Sequence, residues 1–347
     1  MINKEDLRKT RTYQPNELTP ELKVSLKTRI ISAIVCILIA LPCVLIGDIP
    51  FALFIGFCLF VANFEIVRCA KGKYSKMLYT YAFIIAFLVA YWPTVANIRD
   101  WNNWRIFEGF STLKISITML SIGAFALFFV VLVDKNFTVR DACFIFSLGV
   151  LISLGVQCVL FLRYFPSYVY HHPKNGIPGP SVGYFNVYDN LASCTLVLYV
   201  FFGSLFTDVG AYFFGIFFGH KKINERISSK KTWAGFFGGI FVSSLVTIAF
   251  ALVMALIGHP IGGFFTLNNW YHFVILSLAM PFIATLGDFV FSSVKRYYEI
   301  KDFGNLIPGH GGVLDRVDSV IFTAILAATY ISLFFGYNEF SGLINLV

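Results

Sequence analysis

The sequence predicts an all-α polytopic integral membrane protein, and three observations point to that class. Of the 347 residues, 57% are hydrophobic and only 13% are charged, which is far from the composition of a soluble domain. Apolar runs of about 20 residues, long enough to cross a hydrocarbon core about 30 Å thick, recur along the chain. Lysine and arginine are concentrated in alternate connecting segments, which is typical of a chain that crosses a bilayer repeatedly.

We expect nine membrane spans. The motif Thr19-Pro20-Glu21 predicts a helix that starts there and leads into the first span, which stays as an anchor because residues 1–28 are too polar for a signal peptide. Asp48-Ile49-Pro50 leaves almost no loop before the second span, which favours a tight hairpin. The third span is short and could extend past Pro93. The spans are placed at about 29–47, 49–67, 77–92, 113–133, 142–162, 191–218, 234–257, 271–294 and 318–336.

The basic residues predict a cytosolic N-terminus and a C-terminus on the opposite side. In that orientation 22 of the 27 Lys and Arg residues lie in cytosolic segments, and five lie on the other side. Those five are Arg99, Arg105, Lys114, Arg163 and Lys174. The chain then divides into a cytosolic segment (1–28), N-terminal transmembrane helices (29–165), a non-cytosolic loop (166–190) and a C-terminal catalytic region (191–347).

The strongest chemical signal lies in residues 292–319, which hold four basic and four acidic side chains between two apolar runs. Three glycines flank His310, which indicates a sharp turn or a close approach to a ligand. Asp315 and Asp318 share one face if a helix begins near Val313. Basic groups, a glycine-rich turn and paired carboxylates can hold phosphates together with a divalent metal ion.

Two acids lie inside predicted spans, Asp208 and Asp288. A carboxylate there is costly unless it faces water, a cation or a partner, so each could be a buried ion pair or a protonated acid. Residues 219–233 form a basic loop, and such a loop most often reflects only the topology of the chain in the membrane. Thr232, however, is a plausible N-cap for the next span, whose N-terminus can hold an anion. Two acids between two basic loops favour a polar pocket open to the cytosol.

Residues 292–318 resemble the pattern of phosphatidate cytidylyltransferases (CDP-diacylglycerol synthases). The matching residues are Ser292, Lys295, Arg296, Lys301, Asp302, Gly304, Pro308, Gly309, His310, Gly311, Gly312, Asp315, Arg316 and Asp318. A second block is similar over 208–239, with matches at Asp208, Ala211, Tyr212, Ser228, Lys230, Lys231, Thr232, Gly235, Gly238 and Gly239. The resemblance covers about 190–336, and residues 1–165 match only in being apolar spans.

Two positions depart from that family's pattern. Ser229 stands where the family has proline, and Ala234 stands where it has glutamate. We expect the missing glutamate to orient the lysine loop and tune stability, because it would face the positive end of a helix dipole. The alternative is that it belongs to the reaction centre, which would make this chain a weak or inactive relative.

The resemblance implies an enzyme that transfers CMP from CTP to phosphatidate, giving CDP-diacylglycerol and pyrophosphate. Because both substrates of that reaction are strongly anionic, we expect Mg²⁺, alone or with a second cation, bound by Asp288, Asp315 and Asp318. Phosphates are expected at Lys295, Arg296, Lys301, Arg316 and the amides of Gly309, Gly311 and Gly312. A second phosphate set is expected at Lys230, Lys231 and Thr232, with Asp208, Ser228 and Ser292 also at the substrate site. For His310 a hydrogen-bonding or turn role is favoured over that of a base.

Other functions stay open at this point. A CTP-dependent lipid kinase, or a cytidylyltransferase for another lipid phosphate, needs the same phosphate and metal sites. An ion-coupled transporter could use Asp208 and Asp288, but the chain shows no internal repeat. Expected partners are CTP, phosphatidate, the lipid bilayer and a second copy in a homodimer, with no nucleic acid. A bacterial cell membrane is favoured over the endoplasmic reticulum, with the active site facing the cytosol.

Overall fold

The structure is a computed structural model that describes residues 20–69, 76–97, 112–135, 137–171 and 187–335. Predictions for residues 1–19, for the loop 172–186 and for the side chain of Lys230 lie outside it. Its described residues form nine α-helices and one two-stranded sheet. The helices are α1 Pro20–Ile46, α2 Asp48–Cys69, α3 Lys76–Asn97, α4 Thr112–Val133, α5 Val139–His171, α6 Val187–Phe218, α7 Trp233–Leu256, α8 Trp270–Tyr297 and α9 Leu314–Phe334.

These helices agree with an integral membrane protein. Counted over the described residues, seven are long and apolar enough to cross a membrane, namely α1, α2 and α5 to α9. The described parts of α3 and α4 are shorter apolar helices, Leu78–Tyr91 and Leu120–Val133. The all-α polytopic class is therefore confirmed, and the number of nine spans stays a prediction.

The first two helices form the tight hairpin that the sequence predicts. α1 begins at Pro20, as expected, and only Gly47 separates it from α2. Gly47 has φ +76°, a left-handed conformation that glycine adopts readily. The guanidinium group of Arg163 on α5 fills the space beside Gly47, and its Nε donates to the carbonyl oxygen of Val44 at 3.2 Å. The buried guanidinium group of Arg163 therefore stabilises the turn between α1 and α2.

The basic loop before α7 is not a plain loop. It contains strands β1 (Lys222–Asn224) and β2 (Ser228–Thr232), which pair antiparallel. This hairpin is a correction to the purely helical expectation. Thr232 ends β2 and caps α7, because its Oγ1 accepts a hydrogen bond from the N–H of Gly235 at 3.1 Å. The predicted N-cap is confirmed, and it places Ala234 at the second position of α7.

Two buried apolar clusters hold the bundle together. The first cluster joins α2, α3, α4 and α5 to α8 and α9. The second contains side chains from all five helices α5, α6, α7, α8 and α9, around Tyr199 and Phe273. The side chains of α5 and α9 contribute to both clusters. The N-terminal helices are thus packed directly against the helices that carry the charged motifs.

Small residues at intervals of four let α6 and α7 approach closely. They are Gly203, Thr207, Ala211 and Gly215 on α6 and Gly235, Gly239 and Ser243 on α7. The hydroxyl of Ser243 donates to the carbonyl oxygen of Gly203 at 2.7 Å. A Cβ added at Gly239 would lie only 2.8 Å from the carbonyl oxygen of Thr207. This close contact holds the part of α6 that carries Asp208, the residue after Thr207, next to α7.

We expect Gly239→Ala to lower the melting temperature of the purified protein in detergent, because the new methyl group meets backbone of α6. Overpacking of this kind typically costs about 1–3 kcal/mol. Gly149→Ala on α5 is the matched control, since a Cβ there meets no atom within 4 Å. The control should be neutral or stabilising by up to about 1 kcal/mol, the helix-propensity gain. Equal destabilisation by both variants would contradict the close α6–α7 contact.

Candidate active site

The charged residues of both motif segments come together at one end of the bundle. α6 and α8 end there, and α7 and α9 begin there. The Nε of Arg296 donates to the carbonyl oxygen of Ile227 at 3.3 Å, which ties the end of α8 to the turn of the β-hairpin. We call this region the hairpin end.

Lys231 and Asp288 form an ion pair at the hairpin end. The Nζ of Lys231 lies 2.5 Å from Oδ2 of Asp288, and the two side chains are 22% and 29% exposed. Oδ1 of Asp288 accepts a hydrogen bond from Ser292, one turn further along α8, at 3.2 Å. The ammonium of Lys231 also lies 4.0 Å from the ring centroid of Phe289. A cation and a hydroxyl thus satisfy an acid inside an apolar helix.

Two further carboxylates share this region. Asp208 on α6 is exposed, and it interacts electrostatically with Asp288, with Asp318 and with Lys231. Asp318 on α9 is 8% exposed, and its Oδ1 accepts hydrogen bonds from the N–H and the hydroxyl of Ser319 at 2.7 and 3.2 Å. The convergence of Asp208 and Asp288 that the sequence predicted is therefore observed, with Asp318 as a third member.

Asp315 is paired differently, although it lies one turn before Asp318. Its Oδ1 is 2.8 Å from the Nζ of Lys295. Its Oδ2 accepts hydrogen bonds from the backbone N–H groups of Phe303 and Gly312 at 2.8 and 3.0 Å. Both oxygens therefore have partners, and metal binding by Asp315 stays a prediction that would require Lys295 to move away.

Glu65 on α2, in the N-terminal half of the chain, contacts the end of the loop between α8 and α9. Its carboxylate accepts hydrogen bonds from the N–H groups of Val313 and Leu314 at 3.0 and 2.8 Å. The sequence reasoning missed this residue. A usable signal existed, because Glu65 is the single charged residue in the predicted span 49–67. The argument that singled out Asp208 applies equally to it.

The glycine-rich turn between α8 and α9 is closed by its own backbone. The N–H groups of His310 and Gly311 both donate to the carbonyl oxygen of Ile307, at 2.9 and 3.1 Å. Gly309 and Gly311 have φ +76° and +86°, so glycine is required where the chain reverses. Because the N–H of Gly312 also donates within the chain, phosphate binding by the amides of Gly311 and Gly312 would require the turn to open. Phosphate binding by the glycine amides stays a prediction.

His310 connects this turn to α1 and α9. Its Nδ1 lies 2.8 Å from the hydroxyl oxygen of Ser32, and its carbonyl oxygen accepts from Nε and Nη2 of Arg316 at 3.1 and 2.8 Å. Burial lowers the pKa of His310, and the nearby guanidinium groups of Arg316 and Arg29 lower it further. These contacts favour the hydrogen-bonding role over that of a general base.

A comparison with known families decides the identity at the family level. The model of the cytidylyltransferase family matches residues 27–334. The chain belongs to the cytidylyltransferase family. It is 28% identical over 299 residues to a protein of Bacillus subtilis named phosphatidate cytidylyltransferase, covering 86% of this chain and 95% of the relative. A protein of Haemophilus influenzae with the same name is 33% identical over 302 residues, covering 85% and 94%.

The family match corrects the expected extent of the resemblance. The sequence reasoning confined it to about residues 190–336, whereas the match begins at residue 27 and includes α1 and α2. In the fold, Ser32 of α1 contacts His310, and Glu65 of α2 contacts the start of α9. The candidate site is therefore in contact with both halves of the chain.

The remaining predicted site residues of this cytidylyltransferase lie around the cluster. Arg296 is exposed and bonded to the β-hairpin, Ser228 is half-buried in β2, and Thr232 caps α7. Lys301 is exposed in the loop between α8 and α9, and no hydrogen bond or ion pair among the described residues joins it to the acids. Phosphate binding by these residues stays a prediction.

The donor set of the cluster fits Mg²⁺ in its chemistry. Within the described part of the chain, no three His, Cys, Asp or Glu side chains already surround one metal position. The acids Asp208, Asp288 and Asp318 nevertheless provide carboxylate oxygens, the ligands that Mg²⁺ prefers. Asp288 already attracts the ammonium of Lys231. A cation is thus favourable between these helices.

We expect His310→Asn to keep turnover within about tenfold of wild type, because asparagine can still bond to Ser32, whereas loss of a general base costs about 10²- to 10⁴-fold.

The lowered pKa of His310 also predicts how stability depends on pH. His310 is neutral at neutral pH and gains a proton only below its ordinary pKa of about 6.5. Its protonation should therefore lower wild-type stability as pH falls through that region. Turnover and melting temperature at neutral and mildly acidic pH check both points. A hundredfold loss of turnover with unchanged stability would contradict this role.

Proposed function

We propose that this chain is a phosphatidate cytidylyltransferase that transfers CMP from CTP to phosphatidate in phospholipid biosynthesis. The similar proteins of B. subtilis and H. influenzae carry that name. The observation that carries the proposal is the charged cluster at the hairpin end, where acids from three membrane-spanning helices meet Lys231, Lys295 and Arg316. Such a cluster suits a reaction between a nucleotide and a lipid phosphate.

The chemistry requires cations more than it requires a base. A phosphate oxygen of phosphatidate forms a bond to the α-phosphorus of CTP, and the bond from that phosphorus to the bridging oxygen of the β-phosphate breaks. Pyrophosphate leaves with that oxygen. Because a phosphomonoester is already largely ionised at neutral pH, no strong general base is needed. This agrees with a hydrogen-bonding role for His310.

The cations of the cluster are the groups that would hold these phosphates. Lys295 in the last turn of α8 and Arg316 in the first turn of α9 are assigned to one phosphate set. Arg296, beside Lys295, and Lys301, on the loop between the two helices, belong to the same set. Lys231 belongs to the hairpin and is assigned to the other set, with Lys230 and Thr232 beside it in the sequence. Lys231 and Lys295 are each held by one carboxylate, which keeps them in place before the substrates bind. Bound cations of this kind stabilise the charge on the transferred phosphate.

Mg²⁺ would be held by Asp288 and Asp318, with Asp315 as a third carboxylate once Lys295 has turned toward a phosphate. When bound, Mg²⁺ supplies Lewis-acid polarisation of phosphate oxygens. A second cation beside Asp208 belongs to the same proposal. The carboxylates keep these positions because Asp288 is fixed by Ser292 and Asp318 by Ser319.

The finer membrane arrangement is also part of the proposal. Nine spans follow from the apolar runs, and a cytosolic N-terminus follows from the distribution of the basic residues. Together they would place the hairpin end on the cytosolic side, where CTP is available. Bacterial relatives favour a bacterial cell membrane. Assembly as a homodimer is proposed from the family resemblance. The site-bearing acids cluster at one end only, which favours an enzyme over an ion-coupled transporter.

We expect the purified protein to form CDP-diacylglycerol and pyrophosphate from CTP and phosphatidate when Mg²⁺ is present. Asp288→Asn and Asp318→Asn should each lower turnover about 10³-fold or more, because a lost metal ligand removes several kcal/mol of transition-state stabilisation. Lipid products are measured by thin-layer chromatography and pyrophosphate by a coupled assay. Removal of Mg²⁺ with a chelator should abolish both products.

Glu225→Gln is the matched control for these charge changes. Glu225 lies at the same end in the β-hairpin turn, 75% exposed and 3.7 Å from Lys222, so its neutralisation should leave turnover within about threefold. Release of CDP in place of pyrophosphate would indicate the lipid kinase instead. Near wild-type turnover in either asparagine variant would remove that residue from the metal site.

A further inference from the structure

We propose that Glu65 on α2 is a positioning residue for the reaction, which sets the first turn of α9 and with it the site carboxylates. The inference rests on the proposed function for its catalytic consequence. The hydrogen bonds that Glu65 accepts do not depend on that function. Glu65 touches the backbone next to Asp315, and nothing in the motifs of the C-terminal half indicates a partner on α2.

The first turn of α9 depends on Glu65 for its cap. The first N–H groups of any helix lack partners within the helix. Val313 occupies the N-cap position of α9, and its side chain forms no capping hydrogen bond. Oε1 of Glu65 instead accepts from the N–H of Val313 at 3.0 Å, and Oε2 accepts from the N–H of Leu314 at 2.8 Å. A residue 248 positions away in the chain therefore provides the cap.

The loop is shaped around this carboxylate. A Cβ added at Gly304 or at Gly312 would collide with the carboxylate oxygens of Glu65. Gly304 lies near the middle and Gly312 near the end of the segment between α8 and α9, so one side chain contacts both parts. Glu65 itself is only 3% exposed, which leaves it little freedom to move.

Glu65 and Asp315 divide the backbone donors of this segment between them. Asp315 takes the N–H groups of Phe303 and Gly312, and Glu65 takes the next two along the chain. Asp315 then has its other oxygen directed at Lys295. If Glu65 no longer held the α9 turn, the orientation of Asp315 and of Asp318, one turn later, would change. Loss of Glu65 should therefore affect the reaction without any direct contact with a substrate.

The central test compares wild type with Glu65→Gln, which keeps the size of the side chain but replaces one acceptor oxygen by an NH₂ group. We expect kcat to fall about tenfold to a hundredfold, with the KM values for CTP and phosphatidate changed less than about threefold. Hydrogen exchange followed by mass spectrometry should show faster exchange in peptides that cover 304–318. Peptides from the later part of α9, around Ala327, should keep their protection.

Two further variants separate the effect of Glu65 on the α9 turn from a general loss of stability. Gly304→Ala pushes a methyl group against the Glu65 carboxylate, so it should reproduce the loss of kcat and the faster exchange even if Glu65→Gln folds poorly. Asn63→Ala is the control on α2, since the Asn63 side chain is buried and donates to the carbonyl oxygen of Leu59 within its own helix. It should lower the melting temperature while the kcat of the folded protein and the exchange at 304–318 stay at wild-type values.

Unchanged exchange at 304–318 in Glu65→Gln would overturn the inference, as would a kcat that falls only in proportion to the folded fraction. A selective rise in the KM for one substrate would also overturn it, because it would make Glu65 a direct substrate ligand. Failure of the proposed function is seen separately, as an absence of CDP-diacylglycerol with wild-type protein. The exchange data then still decide whether Glu65 holds the first turn of α9.

Discussion

The buried ion pair between Lys295 and Asp315 joins the end of α8 to the start of α9, and the intervening loop is folded around it. The two charged atoms are 2.8 Å apart, and the side chains are 14% and 3% exposed. The second oxygen of Asp315 binds the N–H groups of Phe303 and Gly312, so one carboxylate fixes three points of the chain. Loss of one partner from a buried pair typically costs about 3–5 kcal/mol, because the other charge is left uncompensated. The shape of the glycine-rich turn therefore depends on this pair.

Charge compensation extends to the neighbouring acids, and it explains how they are tolerated at the edge of an apolar bundle. Asp288 is paired with Lys231, and Glu65 is satisfied by backbone N–H groups rather than by a cation. Two of the compensating groups are lysine side chains, which can exchange a carboxylate for a phosphate without a change in the backbone. A phosphate that binds a lysine also releases a carboxylate for a metal ion. The same pairs can thus serve stability in the free protein and binding during the reaction.

Local sequence signals predicted the features that depend on neighbouring residues. The apolar runs gave the helices, the residues after Gly47 gave the tight first hairpin, and Thr232 was identified as a helix cap. Contacts between distant segments left no such signal. The hydrogen bonds from Val313 and Leu314 to Glu65 join residues 248 and 249 positions apart, which hydrophobic periodicity does not encode. The β-hairpin was missed because Lys- and Ser-rich strands of three and five residues lack an alternating apolar pattern. Asp288 was identified as an acid inside an apolar span and Asp315 and Asp318 by their spacing and the resemblance, but the partners of each acid could be seen only in the fold.

We propose that the acids of α8 and α9 form the metal site of the reaction, and anomalous X-ray scattering tests this assignment most directly. Crystals grown with Mn²⁺ in place of Mg²⁺, together with a CTP analogue that cannot be cleaved at the α-phosphorus, would be measured near the manganese absorption edge. We expect an anomalous peak in contact with the carboxylates of Asp288 and Asp318 and with a phosphate of the analogue. Density that places manganese and nucleotide away from both carboxylates, with the Lys231–Asp288 pair intact, would contradict the claim.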